Sequence, residues 1–210
     1  MKIIDSGFEV LTRITKDFLT NIEIAGRTCY KSEDKITADS AGKFCADIIK
    51  RGHESVLEHE KITVKIICDR GISHEIVRHR LASFSQESTR YINYTKENKG
   101  GECSFINIEK HFRNIKSVAI WLNHMKASEQ AYKDLIDLGE QPQIARSVLP
   151  TSLKTEIVIT ANIREWRLIF NQRTFIAAHP QMREVMQPLL DLLKKEIPVL
   201  FDDINCYVRL

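Results

Sequence analysis

The sequence predicts an α+β fold in which long helices flank a small central sheet. Most of the chain carries apolar residues at helical spacing, and only two short segments have the pattern of strands. No repeat, low-complexity segment or change in composition divides the 210 residues. With 43% hydrophobic and 28% charged residues, a chain of this length can bury a full core, so we expect a single domain over residues 1–210.

The first half of the chain contains two helical segments, a strand and a third helix. Helices are expected near Asp17 to Cys29 and Ser40 to Arg51, the second ending before a glycine as helices often do. Apolar and polar residues then alternate in KITVKI, residues 61–66, which is the period of a half-buried strand. A helix from about Gly71 to Arg80 follows this strand.

The second half is mainly helical around one further strand. Segment 116–138 carries six apolar residues at helical spacing, which we assign to the core: Val118, Trp121, Leu122, Met125, Tyr132 and Leu135. EIVITA, residues 156–161, is β-rich, and segment 163–173 then returns to helical spacing. The last helix begins with Pro180 in its first turn, is expected to bend at Pro188, and has an apolar stripe that extends to Ile197. Such long apolar helices are also candidates for subunit contacts.

Composition limits the classes of function. The formal charge of +3, from 31 basic and 28 acidic residues, is too nearly balanced for a general attraction to nucleic acid or membrane. No window approaches a membrane span and the N-terminus has no secretory pattern, so we expect a cytoplasmic protein. The five scattered cysteines predict reduced, structural thiols. Residues Lys96 to Glu102 are expected to form a surface loop.

The run RHRLASFSQESTR, residues 78–90, is a candidate anion site. It combines three arginines, a histidine and several hydroxyls after a predicted helix. Guanidinium groups and loop hydroxyls suit a phosphate or a planar heterocycle. A solvated helix end, whose cations complement the helix dipole, is the structural alternative. The residues alone leave both interpretations open.

Three further clusters contain polar residues at element ends. RGHESVLEH, residues 51–59, places His53 and Glu58 in a loop before a strand. Arg146 lies in an otherwise apolar turn, where its partner is either an acidic neighbour or a substrate anion. In the helix of residues 163–173, Arg164 and Arg173 are nine positions apart and would point to opposite faces, so they would serve two ligands. Asn162, just before that helix, is a candidate cap.

Several common chemistries lack their sequence patterns. No glycine-rich phosphate loop is present, so side chains would have to hold any dinucleotide phosphate. His74 and His79 are five residues apart, whereas a zinc-protease helix needs four, so we expect no metal site. No cysteine lies in a basic neighbourhood that would activate it as a nucleophile.

The run of residues 78–90 fits R-H-R-x-x-S-x-x-x-x-S-x-R and so resembles the signature of the flavin-dependent thymidylate synthases. The other clusters fall where that family has them, so the resemblance covers most of the chain. It implies reductive methylation of dUMP to dTMP. The resemblance also implies FAD as cofactor, NADPH as reductant, methylenetetrahydrofolate as carbon donor, and a homotetramer with active sites at subunit junctions.

The resemblance also implies residue roles. The residues implied to contact FAD are Ser55, Arg78, His79, Arg80, Gln86, Asn162, Arg164 and the backbone of Leu168, with Ser55 and Gln86 contributed by another subunit. The residues implied to contact dUMP are Glu75, Arg78, Gln86, Glu87, Ser88, Thr89, Arg90, Arg146 and Arg173. His53 would support orientation of the flavin or folate. The chain departs from the family at Glu75, where relatives often have Gln, and at Gln86, where they often have Glu.

We expect Arg173 to be the catalytic residue, because a permanent cation at the uracil N3–O4 edge would stabilise charge that develops on the ring. Ser88 is expected to bind substrate, since its spacing implies no adjacent base that would make it a nucleophile. Two other classes remain: a nucleic-acid-binding module that uses Arg78–Arg90 as a phosphate clamp and Tyr91 and Tyr94 for stacking, and an oligomeric structural protein with a degenerate nucleotide site.

Overall fold

The computed structural model describes residues 1–15, 17–97 and 101–205. Lys99 and Gly100 of the predicted surface loop, and Cys206, lie outside the described residues. On both sides of this gap, residues 95–97 and 101–102 form no strand or α-helix. The described part of that loop therefore agrees with the prediction.

Eight α-helices and six strands form the described regions. The helices are α1 (Asp17–Thr28), α2 (Ser40–Lys50), α3 (Arg70–Ile76), α4 (Ile115–Asp137), α5 (Pro142–Ala145), α6 (Ile163–Arg173), α7 (Pro180–Glu196) and α8 (Pro198–Phe201). The strands are β1 (Lys2–Ile4), β2 (Gly7–Val10), β3 (Lys61–Asp69), β4 (Ala82–Gln86), β5 (Ser104–Ile106) and β6 (Lys154–Asn162). Short 3₁₀ helices include Glu54–His59 and Arg146–Val148.

The strands form two small sheets. Four strands pair in the order β2-β3-β6-β4, while β1 and β5 pair in parallel with Ile3 opposite Phe105. In β3, Ile62, Val64 and Ile66 are fully buried, as the alternation predicts. Mixed small sheets with long helices confirm the α+β fold class.

The chain divides into two compact units. Unit 1 comprises residues 1–7, 66–78 and 85–158, and unit 2 comprises residues 8–65, 79–84 and 159–210. In unit 1, Trp121, Met125 and Tyr132 of α4 are buried in a core that also contains Phe105 and Tyr94. The predicted apolar face of α4 is thus confirmed.

Unit 2 is built around the C-terminal helices. Trp166 stacks on Phe170 at 5.4 Å between ring centroids, and Phe201 packs edge-on against Phe170 at 5.7 Å. The stripe on α7 is buried from Met182 to Leu193, and Pro180 occupies the first turn as predicted. Helices α1 and α2 approach closely at Gly26, where an added Cβ would lie 2.4 Å from the ring of Phe44.

The prediction of a helix to Arg80 is wrong at its C-terminal end. Helix α3 ends at Ile76, with Val77 as its cap, and residues 78–81 form turns before β4. The arginines of the motif therefore lie on a loop, and β4 begins directly after them. This strand pairs with β6, about 70 residues away in sequence. Local periodicity does not reveal a pairing over that distance.

The described cysteines have no disulfide partner, and three of the four are buried: Cys45, Cys68 and Cys103. Burial raises the pKa of each of these three thiols to about 12, so they stay protonated and unreactive. Among the helices of the described ranges, none combines the length and apolar character needed to cross a membrane.

Candidate active site

Arg173, the predicted catalytic residue, lies at the C-terminal end of α6 in unit 2. Arg173 Nε donates a hydrogen bond to Nε2 of His79 at 2.9 Å. On the other side of the imidazole, Nδ1 lies 3.5 Å from the Glu165 carboxylate. We call these three residues the Arg173 cluster. It brings the motif histidine onto the predicted catalytic arginine, two positions 94 residues apart in sequence.

The imidazole in this cluster is neutral at physiological pH. His79 is only 5% exposed, and burial, followed by the positive charge of Arg173, lowers the pKa of His79 to about 4. The lone pair on Nε2 of an uncharged His79 can accept a hydrogen bond from arginine, which can only donate. Within the cluster, the positive charge is therefore carried by Arg173 alone.

The start of α6 positions a second arginine on the opposite side of the helix. Asn162 Oδ1 accepts a hydrogen bond from the backbone amide of Glu165 at 2.8 Å, which confirms the predicted cap. Arg164 is exposed and pairs with Glu58 at 2.7 Å. Such a surface ion pair adds little stability, so it can be exchanged for a ligand anion at small cost.

An open cavity of about 1040 Å³ in unit 2 contains Arg164 together with Ser55 and His53. Its remaining wall includes Lys35, Lys43 and Arg51, with Tyr30 and Phe44 as aromatic surfaces. His53 is exposed at the start of the 3₁₀ helix Glu54–His59. The wall also carries three carboxylates, Asp39, Asp47 and Glu54, but its cations and aromatic rings together suit the pyrophosphate and rings of a dinucleotide such as FAD.

A smaller groove of unit 2, about 400 Å³, contains other residues implied to contact flavin. Arg80 and Asn162 line it together with Ser83. Arg80 is exposed. Leu168 is 45% exposed on α6 and contributes an apolar side chain, so a polar contact there would have to come from its backbone.

Unit 1 contains a turn of anion-binding character directly after β4. Arg146 Nη1 donates to Thr89 Oγ1 at 2.9 Å, and the backbone amide of Arg90 donates to Ser88 Oγ at 3.3 Å. The guanidinium of Arg90 is exposed and lies over the Tyr91 ring. We call Ser88, Thr89, Arg90 and Arg146 the Thr89 turn. Arg146 thus binds a hydroxyl, whereas a purely structural role predicted an acidic neighbour as its partner.

The Thr89 turn is anchored by Glu87. Its two carboxylate oxygens accept hydrogen bonds from the Tyr94 hydroxyl at 3.0 Å and from Lys154 Nζ at 2.9 Å. Tyr94 is only 6% exposed, and burial, reinforced by the charge of Glu87, raises the pKa of its hydroxyl far above the ordinary value. With both oxygens engaged, the Glu87 side chain supports the turn from within unit 1.

Gln86 is also held inside unit 1. Its amide nitrogen donates to Ser73 Oγ at 2.8 Å and to Thr155 Oγ1 at 3.2 Å. The Ser73 and Thr155 hydroxyls accept these two bonds, so both N–H groups of the Gln86 carboxamide have a partner. Glu75 is half-buried near the end of α3, and Arg78 is exposed just after it.

Three supporting residues were not found from the sequence: Glu165, Lys154 and Arg167. Arg167 is 6% exposed and binds Asp203 with two hydrogen bonds, at 2.7 and 2.6 Å, as well as Glu54 beside His53. One signal was available for Glu165, since an acidic residue in an apolar helical pattern needs a partner. Its partner His79 is remote in sequence, so the pairing itself could not be predicted from local sequence patterns.

Comparison with known proteins gives a consistent set of similarities. A family model described as thymidylate synthase complementing protein matches residues 10–199. The flavin-dependent thymidylate synthase of Corynebacterium aurimucosum is 34% identical over 205 residues, covering 88% of this chain and 79% of the relative. That of Geobacter sulfurreducens is 32% identical over 200 residues, covering 92% and 84%.

A solved structure shares the fold at lower sequence similarity. It is the crystal structure of a UMP/dUMP methylase, PolB, from Streptomyces cacaoi, bound with 5-Br dUMP. The TM-score is 0.78 and the identity 20%, with 100% of this chain and 99% of that chain covered.

Proposed function

Because the chain belongs to the flavin-dependent thymidylate synthase family, we propose that this enzyme converts dUMP to dTMP by reductive methylation. We propose methylenetetrahydrofolate as the carbon donor, FAD as the cofactor and NADPH as the reductant. When bound, the flavin would supply the hydride that completes the methyl group. The chain's own task is to hold an anionic nucleotide and polarise its uracil ring.

The observation that carries the proposal is the Thr89 turn. Arg146, with its guanidinium 2.9 Å from the Thr89 hydroxyl, combines a fixed cation and a hydroxyl donor at the end of a strand. Ser88 and Arg90 add a second hydroxyl and a second cation. Phosphate monoesters are bound by such sets of guanidinium, hydroxyl and backbone amide groups. The turn therefore suits the phosphate of dUMP.

Ser88 fits a binding role better than a nucleophilic one. Its Oγ accepts a hydrogen bond from the backbone amide of Arg90, and an amide cannot remove the hydroxyl proton. A serine without a base remains a weak nucleophile at neutral pH. Ser88 would donate its hydroxyl proton to a phosphate oxygen instead.

Arg173 is proposed to polarise the uracil. A guanidinium stays charged at all physiological pH values, and its planar N–H donors can bond to O4 of the ring, and to N3 once the ring carries negative charge. Negative charge that develops there makes C5 nucleophilic, and a cation held in place stabilises that charge without reorganisation. The bond from Arg173 to neutral His79 supports this role because it fixes the guanidinium without neutralising it.

The flavin contacts are proposed for unit 2. Ser55 and Arg164 line one cavity, and Arg80 and Asn162 line one groove, so four of the residues implied to contact FAD lie at two concave surfaces of this unit. Arg164 and Arg80 would hold phosphate oxygens, while His53 would contact a ring system of the flavin or folate. From the length and composition we propose a single-domain cytoplasmic protein, and from family membership a homotetramer whose active sites form at subunit junctions. Light scattering on the purified protein tests the tetramer.

The proposal is tested by spectrum and turnover. Purified enzyme should take up FAD with a flavin spectrum. It should also release tritium from C5 of labelled dUMP and form dTMP when NADPH and methylenetetrahydrofolate are both present. Omission of either one is the matched control and should abolish dTMP. Protein that binds no FAD and forms no dTMP would contradict the proposal.

The nucleic-acid-binding alternative loses one of its stacking residues. Tyr94 is buried and hydrogen-bonded to Glu87, so of these two stacking residues only Tyr91, which is 78% exposed, presents its ring to solvent. A salt-sensitive affinity for oligonucleotides in protein that takes up no flavin would favour that alternative.

A further inference from the structure

His79 lies between two charged groups that both belong to α6. Arg173 approaches its Nε2 atom at 2.9 Å, and the Glu165 carboxylate faces its Nδ1 atom at 3.5 Å. His79 and Glu165 are 5% and 4% exposed, so protein contacts, and not solvent, determine the orientation of both side chains. Eight residues, slightly more than two turns, separate Glu165 from Arg173, which places them on the same side of the helix.

The protonation state of the imidazole follows from its partners. Arg173 Nε can only donate a hydrogen bond, so His79 Nε2 must present its lone pair. A neutral imidazole then carries its proton on Nδ1, the atom that faces the carboxylate. The opposite tautomer would place two N–H groups against each other at Nε2 and leave two acceptors facing each other at Nδ1.

We propose that Glu165 is a positioning residue, which keeps the His79 proton on Nδ1 and so keeps Nε2 available to orient the Arg173 guanidinium. The chemical part of this inference rests on the proposed role of Arg173. Glu165 does not touch substrate in this account. It acts on Arg173 through His79.

The helix that carries the carboxylate is fixed at this point. Asn162 caps α6 with its own side chain, which leaves the Glu165 carboxylate to face His79. In the next position, Trp166 donates its indole N–H to the carbonyl of Ile62 at 2.9 Å and fixes the rotation of the helix. Burial raises the pKa of Glu165, a cost that an apolar residue would avoid. A buried acid on this face is therefore explained by its orienting effect.

The first test reads the tautomer directly in the wild-type enzyme. In protein with nitrogen-15-labelled histidine, long-range nitrogen–proton correlations report which ring nitrogen carries the proton, and loss of a signal in His79→Asn assigns it. We expect a neutral His79 with the proton on Nδ1 from about pH 6 to about pH 8. A proton on Nε2, or a charged imidazole, overturns the proposal without any need for turnover.

The second test removes the charge of the positioning residue. Glu165→Gln keeps the size of the side chain but can turn either an oxygen or an N–H toward Nδ1. We expect mixed His79 tautomers and a kcat about tenfold to a hundredfold lower, as is usual when a group that orients a catalytic residue is lost. KM for dUMP should change little, because the Thr89 turn is unaltered.

Glu23→Gln is the matched control. Glu23 is fully buried in unit 2 and pairs with Arg27, with no part in the Arg173 cluster. This variant tests the general effect of neutralising a buried carboxylate, and it should leave the His79 tautomer unchanged. A Glu165→Gln enzyme with wild-type kcat, or with a reduced kcat but an unaltered tautomer, overturns the proposal. Should this variant fail to fold, the wild-type tautomer decides. Wild-type protein that forms no dTMP contradicts the proposed function alone.

Discussion

The Arg173 cluster and the Thr89 turn both present arginine, but in different surroundings. Arg173 is half-buried and bound to a neutral histidine, whereas Arg146 is exposed and bound to a threonine hydroxyl. Coulombic interactions are several times stronger at a buried position than at the surface. A single well-oriented, half-buried cation can therefore stabilise a transition state, while phosphate recognition is shared among several exposed groups.

The two regions also differ in how they are supported. The Thr89 turn is anchored by ionic and hydrogen bonds of Glu87 with Tyr94 and Lys154. In the Arg173 cluster, the hydrogen bond from Arg173 Nε requires one tautomer of one imidazole. We therefore expect substitutions in the cluster to act on kcat and substitutions in the turn to act on KM.

The largest effect is expected for Arg173→Ala. Loss of the polarising cation should lower kcat for dTMP formation by about a hundredfold to a thousandfold, the usual cost of removing one such donor. Flavin uptake and the far-UV circular dichroism spectrum should stay normal. Arg173→Lys should recover little, because an ammonium group lacks the planar fork. Near-normal turnover of Arg173→Ala would remove this residue from the catalytic role.

Arg146→Ala should act on binding. A charged hydrogen bond to phosphate contributes about 1.5–3 kcal/mol, so KM for dUMP should rise about tenfold to a hundredfold with kcat little changed. Arg113→Ala, which removes an exposed cation elsewhere in unit 1, is the control and should leave KM unchanged. Equal effects of the two variants would mean that Arg146 acts only through net charge.

The pH dependence of stability should report the buried histidine. Folded His79 has a pKa of about 4, compared with 6.5 for the ordinary side chain, so the unfolded chain binds more protons between these values. The contribution of His79 to the free energy of unfolding is therefore full above pH 6.5 and falls as the pH is lowered toward 4. The raised pKa of Glu165 acts in the opposite sense. Urea unfolding of His79→Asn should show a shallower decline than wild type, and an equal decline would contradict a neutral buried His79.

Tyr94→Phe should have the smallest effect. It removes the hydrogen bond to Glu87 but leaves Lys154 on the other carboxylate oxygen. We expect a loss of about 1–2 kcal/mol in the free energy of unfolding, measured in urea. Tyr91→Phe removes an exposed hydroxyl and should have no measurable effect. A larger loss in Tyr91→Phe than in Tyr94→Phe would contradict the anchoring role of Glu87.

Much of the fold could be predicted because its elements have strong periodic patterns. The apolar stripes of α4 and α7, and the alternation in β3, each report one buried face. The end of α3 could not be predicted, since residues 77–80 have no helix-breaking side chain. That boundary depends on β4, which starts at Ala82 to pair with a distant strand.

The candidate site was predictable where a residue has a local or family pattern. Asn162 precedes a helix and caps it, and Arg164 and Arg173 have different environments, as their spacing indicates. The supporting contacts were not predictable, because Glu165 and Lys154 bind partners 86 and 67 positions away. Such pairings are decided by tertiary packing, and no local spacing encodes them.

The most direct test compares dUMP with deoxyuridine, which lacks the phosphate, in the Arg146→Ala and Arg173→Ala enzymes. Tritium release from C5 gives kcat/KM for each enzyme and substrate. We expect the loss caused by Arg146→Ala to disappear largely with deoxyuridine, whereas the loss caused by Arg173→Ala should persist with both substrates. An Arg146→Ala loss of equal size on both substrates, or an Arg173→Ala loss that vanishes without the phosphate, would contradict the division between phosphate binding and uracil polarisation.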